Sequence, residues 1–324
     1  MQTSNASSPA ASRTARERIG LAIAAPDAAS AVAAIVDAEV AGIEQVWMTQ
    51  VTPAPDTLGI YTAAAMKTSK IRMGTAIVPT YPRHPLALAQ QVLAFNDLVP
   101  ERLRLGVGPS HRPIIEGVYG LAMADPLEHL REYVAVLRGL LWDGKVDYQG
   151  RFYNVKSTFP RAPHTPLLVS ALRENAFQLA GAISDGALSW NCPVHYLLEK
   201  ALPALRTGAA SEGRPVPPLV AHIPVALSQD RQEVIAAARR QLGLYGKLPF
   251  YAKMFANAGF PVSPEGELSE ALIENLVVSG DEATIEERLK KNLEAGLDEL
   301  LIMPIPVKNG KDEQFRIMRL LGQI

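Results

Sequence analysis

This sequence of 324 residues has a single cysteine, almost no net charge and no long apolar run. The single cysteine, Cys192, excludes a disulfide within the chain and any cysteine-rich zinc site. A net charge of −1 supplies no basic field for nucleic acid or for an anionic membrane surface. No apolar stretch reaches the roughly 20 residues that a membrane span needs. We therefore expect a globular protein with no nucleic-acid partner and no membrane partner.

Several catalytic patterns are missing as well. The six histidines are scattered and form no His-x-x-x-His pair, so we expect no metal site. The strand ends described below carry few carboxylates, which argues against a glycosidase-type acid pair. No Gly-x-Ser-x-Gly sequence is present, which argues against a hydrolase of the nucleophile-elbow type.

The first 18 residues differ from the rest in composition. They are rich in Ala, Ser and Thr and lack the compact apolar core of a secretion signal. We predict a flexible leader over residues 1–18, a single domain over residues 19–324 and a cytoplasmic location. A transit peptide is a weaker alternative. Such segments are poor in acidic residues, and the acidic residue of this stretch, Glu17, comes only at its end.

From Ile19 onwards, apolar strand-like segments alternate with amphipathic helix-like segments. The predicted strands are 19–24, 44–48, 71–78, 103–107, 167–170, 187–190, 219–227 and 297–303. Because strands that alternate with helices form parallel sheets, eight such units predict an α/β fold, a closed (β/α)8 TIM barrel. The competing open sheet would place a glycine-rich turn after the first strand, where this chain has only Ala25-Pro26-Asp27.

Two segments fall outside this alternation. Residues 146–153 carry Gly150 between two aromatic-containing runs, a pattern typical of a small hairpin. Residues 246–276 fit no strand and predict an insertion after strand seven.

The carboxyl ends of the strands are where a barrel of this kind holds its active site. The most distinctive end is 103–112, an apolar run that breaks into Gly106, Gly108 and a Ser-His-Arg cluster. Glycine lets backbone approach a ligand closely, and the other strand ends add hydroxyls and the cations Arg83, Arg112 and Arg173. Apolar surface, hydroxyls and cations suit a planar cofactor with a phosphate, which would carry the difficult chemistry.

Several stretches together resemble the luciferase-like monooxygenase superfamily, in particular its branch that uses the deazaflavin coenzyme F420. They are 73–85, 105–112, 131–133, 150–153, 179–181, 185–186 and 278–281, and they span roughly residues 19–320. The resemblance implies a (β/α)8 barrel with an insertion after strand seven. It also implies hydride transfer between the deazaflavin and a small organic substrate.

The resemblance also implies roles for the strand ends. A non-prolyl cis peptide at Ala76-Ile77 would support the flavin ring, and backbone N–H groups of 170–173 would bind the phosphate. The expected cofactor-binding residues are Thr49, Thr75, Ala76, Ile77, Gly106, Val107, Gly108, Pro109, Ser110, His111, Arg112, Ser170, Ala171, Leu172 and Arg173. The expected substrate-binding residues are Trp47, Tyr81, Trp190 and Asn191.

The chain departs from related sugar-phosphate dehydrogenases at their acid and His positions. It has Gln50 and Val51 after strand two and Pro109 after the strand-four glycine. Proton handling then depends on a water, Gln50, His84 or His111.

Three functions remain open at this point. The first is an F420-dependent oxidoreductase, and the second is an FMN-dependent monooxygenase served by a separate flavin reductase. The third is a barrel that binds a cofactor or other ligand without turnover. Members of the superfamily are often dimers, so the resemblance implies a homodimer.

Overall fold

Eight parallel strands close into a barrel in the computed structural model, which describes residues 13–324. The strands are β1 (Ile19–Ala22), β2 (Gln45–Met48), β3 (Arg72–Thr75), β4 (Leu103–Gly108), β5 (Leu167–Ser170), β6 (Gly186–Leu188), β7 (Leu219–Ala226) and β8 (Glu299–Pro304). Each pairs with the next along the chain, and β8 pairs back to β1 with Leu300 opposite Ile19. The predicted (β/α)8 barrel is confirmed.

Helices surround the barrel, and most of them bury apolar residues. They are Ala15–Arg18, Ala28–Val40, Thr57–Ala65, Pro85–Leu98, Arg112–Gly117, Pro126–Trp142, Glu174–Ile183, Val194–Tyr196, Leu202–Ser211, Arg231–Gly246, Pro249–Asn257, Glu270–Leu276, Glu282–Glu294 and Gly310–Leu321, with a π-helix at Leu197–Ala201. Asp27, Asp56, Asp230 and Asp281 each cap a helix that begins at the next residue, as short polar side chains do at helix N-termini. Within residues 13–324, no helix is both long enough and apolar enough to cross a bilayer.

Strand β3 is shorter than the sequence predicts. It stops at Thr75, the peptide bond between Ala76 and Ile77 is cis, and the chain pairs with β4 again at Val78–Pro79. The predicted single strand 71–78 is therefore two short ladders separated by a bulge at the carboxyl end of the barrel.

The predicted hairpin lies outside the barrel, with Lys145–Gln149 antiparallel to Asn154–Thr158. Its turn is anchored by the buried carboxylate of Glu132, which accepts the backbone N–H groups of Arg151, Phe152 and Tyr153.

The predicted insertion lies between the helix that follows β7 and the short strand Val278–Ser279. It consists of the helices Pro249–Asn257 and Glu270–Leu276 and the connections around them. Tyr251, Met254 and Phe255 are buried on the first of these helices, so the segment packs firmly on the barrel.

The opposite, amino-terminal end of the barrel is closed by charged side chains. The Glu299 carboxylate accepts from Arg104 at 2.5 Å and from Arg13 at 2.8 Å, with its side chain only 1% exposed. Burial by itself would raise the pKa of Glu299, but Arg104 and Arg13 hold it below its ordinary value.

The predicted leader lies only partly within the described residues. Residues 1–12 lie outside them, whereas residues 13–18 contact the barrel. Arg16 donates to the carbonyl of Gly322 and Arg18 to the carbonyls of Leu297 and Asp298. Within the described residues, contacts with the barrel are therefore already made by Arg13, Arg16 and Arg18, which precede Ile19.

Candidate active site

A cavity of about 710 Å³ opens at the carboxyl ends of the strands. That size lies within the range of sites for small ligands and cofactors. The following predicted site residues line it: Thr49, Gln50, Ala76, Ile77, Pro109, Ser110, His111, Ser170, Ala171, Leu172, Arg173 and Trp190. The folding of the chain thus brings together the ends of β2 to β6, as the sequence analysis expected.

The bulge after β3 forms one apolar part of the wall. Ala76 and Ile77 both line the cavity, and backbone bonds hold them on either side of the cis peptide. Ala76 donates to the carbonyl of Met48 at 2.8 Å, and Ile77 accepts from the backbone N–H of Gln50 at 3.2 Å. The expected cis peptide is present at the expected bond.

The end of β5 forms the cationic part of the wall. Arg173 is the N-cap residue of the helix Glu174–Ile183, and no side chain caps that N-terminus. Within the described part of the chain, Arg173 forms no ion pair, and its guanidinium carbon lies 5.6 Å from the ring centroid of Phe250. A helix N-terminus and an unpaired guanidinium on one wall together favour an anion.

His111 follows β4, the neighbour of β5 in the barrel, and also lines the cavity. Its Nδ1 is buried without a hydrogen-bond partner in the described residues, and its ring lies 5.5 Å from that of Tyr251. Burial lowers the pKa of His111, so the neutral ring prevails at neutral pH. The preceding Ser110 has φ of 61°, a conformation that non-glycine residues adopt mainly at special sites.

Gln50 is oriented by the helix that follows it. Its Oε1 accepts from the backbone N–H of Thr57 at 2.7 Å. This bond leaves the amide NH₂ as the part of the side chain that can donate to a ligand.

Aromatic side chains form another part of the wall, and some of them were not predicted. Trp190 donates from Nε1 to the Oη of Tyr245 at 2.8 Å, and the rings of Tyr245 and Tyr251 are 4.7 Å apart. Tyr245, Phe250 and Tyr251 come from the inserted region and its preceding helix, and all three line the cavity. Their clustering within residues 245–251 was the available sequence signal.

Four predicted cofactor residues lie in the barrel wall rather than at the cavity surface. The hydroxyl of Thr75 donates to the Gly106 carbonyl and accepts from its N–H, both at 2.8 Å. A Cβ on Gly106 would meet the Thr75 carbonyl at 2.0 Å, and one on Gly108 would meet Ser170 Oγ at 2.0 Å. The side chain of Val107 belongs to the core. These glycines therefore allow close strand packing, which differs from the predicted close approach to a ligand.

Two predicted substrate residues are fully enclosed. Trp47 is 1% exposed inside the barrel, where the Arg104 guanidinium carbon lies 4.9 Å from its ring centroid. Asn191 is 0% exposed, has φ of 51° and contacts His222 through its backbone N–H. Neither reaches the cavity surface, because each lies beneath the layer that lines it.

Three further predicted residues lie outside the cavity. His84 caps the helix Pro85–Leu98 by accepting from the N–H of Leu86. Tyr81 stacks on His129 with 3.8 Å between centroids, and its Oη donates to the carbonyl of Ala124. Arg112 is paired with Glu116 and donates to the carbonyl of Met123. Their polar groups are engaged within the protein.

The described residues contain no cluster of side chains that could bind a metal ion. Across residues 13–324, no group of three or more His, Cys, Asp or Glu side chains is placed to hold an ion. Burial raises the pKa of Cys192 to about 12, which keeps the thiol protonated and unreactive.

Comparison with known proteins places this geometry in a family. Residues 4–299 match the luciferase-like monooxygenase family. An F420-dependent glucose-6-phosphate dehydrogenase of Nocardia farcinica is 26% identical over 270 residues, which cover 79% of this chain and 80% of that protein.

Two solved structures have a similar fold. An F420-dependent secondary alcohol dehydrogenase with an F420–acetone adduct superposes with a TM-score of 0.78 at 18% identity, covering 94% of this chain and 97% of the other. An FMN complex of the oxygenating constituent of 3,6-diketocamphane monooxygenase from Pseudomonas putida gives 0.69 at 15% identity, with 90% of each chain covered. The family match over most of the sequence, together with the closed barrel, shows that this chain belongs to the luciferase-like monooxygenase family.

Proposed function

We propose that this protein is an F420-dependent oxidoreductase that transfers a hydride between the deazaflavin and a small organic substrate. The observation that carries the proposal is Arg173, a cation without an ion pair in the described residues, at a helix N-terminus in the cavity wall. Family members named as F420-dependent at 26% identity over most of the chain support the same cofactor.

The residues present fit such a cofactor. The cavity volume of about 710 Å³ and the apolar surface of Ala76, Ile77 and Leu188 suit a planar ring system. Ser110 and Ser170 offer hydroxyls for a polyol chain. Arg173 and the uncapped N-terminus of the helix Glu174–Ile183 suit a phosphate.

When bound, the deazaflavin supplies a two-electron hydride carrier, which is chemistry that no side chain provides. The protein's own part is to orient and to exclude water. The bulge at Ala76-Ile77 and the aromatic wall would enclose the ring, and Arg173 would hold the phosphate. The amide of Gln50 and the neutral ring of His111 line the cavity and would hydrogen-bond a substrate or a water at the mouth.

A direct test is titration of the purified apoprotein with F420 and, separately, with FMN. We expect saturable F420 binding with a dissociation constant in the micromolar range or below, and weaker FMN binding. Tight FMN binding without F420 binding would replace this proposal by the FMN-dependent monooxygenase, which the fold shared with an FMN complex supports. Binding of F420 without hydride exchange toward any carbonyl, imine or quinone compound would favour a non-catalytic binding protein.

A further inference from the structure

The hydrogen bond between Trp190 and Tyr245 has a fixed direction. An indole N–H can only donate, so at 2.8 Å the Oη of Tyr245 must be the acceptor. The hydroxyl hydrogen of Tyr245 is then left over, and within residues 13–324 no acceptor bonds to it. Both side chains line the cavity, so this leftover donor is available to a ligand.

Trp190 is itself held in place from behind. Its ring stacks on the imidazole of His222, with centroids 3.7 Å apart and 23° between the planes. His222 is 1% exposed, and its Nδ1 accepts from the backbone N–H of Asn191 at 3.3 Å. A stacked and hydrogen-bonded indole presents its N–H to Tyr245 in one orientation, which preorganises the tyrosine hydroxyl.

The surroundings of Tyr245 specify a neutral ligand. Its neighbours along the wall include Leu244, Leu248 and Tyr251. Of the described residues that line the cavity, Arg173 and Glu174 alone carry a full charge, and the proposed phosphate accounts for the first. An apolar wall with the free hydroxyl donor of Tyr245 matches a compound that has an apolar body and an acceptor oxygen.

We propose that Tyr245 is a catalytic residue that binds and protonates the carbonyl oxygen of a neutral, apolar ketone or enone, with Trp190 as its positioning residue. This inference rests on the proposed function, since the reduced deazaflavin must supply the hydride. The hydride adds to the carbonyl carbon, or to the β-carbon of an enone, and the displaced electron pair moves to oxygen. That oxygen takes the proton of Tyr245, and the tyrosinate regains a proton from water. The substrate is reduced by two electrons and the deazaflavin is oxidised by two.

The ionisation of Tyr245 is consistent with a proton donor. Burial raises the pKa of Tyr245, and the hydrogen bond from Trp190 acts in the opposite direction. The phenol is therefore protonated at neutral pH, and the indole N–H stabilises the phenolate when the proton leaves.

A binding experiment tests the recognition step without any cofactor. Cyclohexanone and 2-cyclohexen-1-one are titrated calorimetrically into the wild type, Tyr245→Phe and Tyr148→Phe. Tyr148 lies on the hairpin, outside the cavity, and serves as the matched control. We expect Tyr245→Phe to lose about fivefold to tenfold in affinity, as for one neutral hydrogen bond, and Tyr148→Phe to match the wild type. Equal binding by Tyr245→Phe, or no binding by the wild type, would overturn the inference.

A turnover experiment tests the proton transfer with reduced F420 and the same two compounds. We expect Tyr245→Phe to lower kcat about 100-fold with a smaller change in KM, and to lose the solvent deuterium isotope effect of the wild type. Trp190→Phe, which keeps an aromatic ring but removes the N–H, should lower kcat about tenfold. An unchanged kcat and isotope effect in Tyr245→Phe would overturn the inference.

The two experiments separate the inference from the proposed function. If the wild type oxidises reduced F420 and Tyr245→Phe does so equally well, the inference fails and the function stands. If the wild type neither binds nor oxidises reduced F420, but Tyr245→Phe alone loses carbonyl affinity, the cofactor assignment fails and carbonyl recognition by Tyr245 stands.

Discussion

The imidazole of His222 stacks on the indole of Trp190, with ring centroids 3.7 Å apart. His222 lies on β7 and Trp190 follows β6, so the pairing of two neighbouring strands brings the rings together. The contact joins the barrel interior to the cavity wall. The same contact buries the His222 ring, and burial disfavours its protonated form.

The burial of His222 predicts that the folded protein loses stability in acid. Complete burial lowers the pKa of His222 to about 3, whereas the unfolded chain binds the proton near pH 6.5. Stability is therefore lost as pH falls from about 6.5 toward about 3, by up to about 1.4 kcal/mol per pH unit. We expect the free energy of unfolding to fall less between pH 7.5 and 5.0 in His222→Gln than in the wild type, by about 2 kcal/mol. Urea unfolding at both pH values measures this, and an identical fall in the two proteins would contradict it.

Arg173 and Arg112 provide a matched pair for cofactor affinity. Arg173 lines the cavity, whereas Arg112 is paired with Glu116 outside it. Since a charge-assisted hydrogen bond contributes about 1.5–3 kcal/mol, we expect Arg173→Gln to weaken F420 binding about 10-fold to 100-fold. Arg112→Gln should bind as the wild type does. Fluorescence titration with F420 measures both, and equal losses in the two variants would count against a phosphate site at Arg173.

A substitution at Gly106 tests whether this glycine serves strand packing rather than ligand contact. Its added Cβ would lie 2.0 Å from the Thr75 carbonyl, which the sheet holds in place. We expect Gly106→Ala to lower the free energy of unfolding by about 3 kcal/mol, because backbone in a barrel cannot move aside. Gly117→Ala, with no atom within 4 Å of the new Cβ, is the control and should be neutral or slightly stabilising. Urea unfolding compares them, and similar values would refute the packing role.

Removal of the Glu299 charge, at the amino-terminal end of the barrel, is expected to lower the free energy of unfolding strongly. Glu299→Gln leaves Arg104 and Arg13 without their counter-charge in a site where the carboxylate is 1% exposed. We expect a loss of about 3 kcal/mol in the free energy of unfolding. The exposed pair of Glu286 with Lys290 gives the control, and Glu286→Gln should cost less than about 0.5 kcal/mol. A small effect at Glu299 would show that solvent reaches the pair.

The barrel itself was predictable because its signals are local. Hydrophobic periodicity and turn residues lie within each segment, so β5 was predicted with its observed bounds, 167–170. The strand after Ile71 was not, because its ladder is interrupted by a bulge that alternation alone does not reveal.

The site was predicted less completely, for reasons of three-dimensional placement. The spacing of Gly106 and Gly108 indicated close approach, but spacing does not say whether a ligand or a neighbouring strand makes it. Trp47 lies within the expected strand 44–48, yet its side chain points into the barrel interior. Tyr245 and Tyr251 were missed, since the packing of the inserted region on the barrel decides where they point.

The inserted region also has a consequence for how this protein could change. The β7–β8 ladder closes without any residue of 247–276, because Val220 pairs directly with Glu299. Most of the cavity wall is thus supplied by the barrel with its loops and helices, and Leu248, Phe250, Tyr251 and Asn257 are added by a separate layer that packs on it. Exchange of that layer between relatives would alter which compounds fit while the part of the wall supplied by the barrel stayed intact, which makes this segment a natural unit for grafting and for directed evolution.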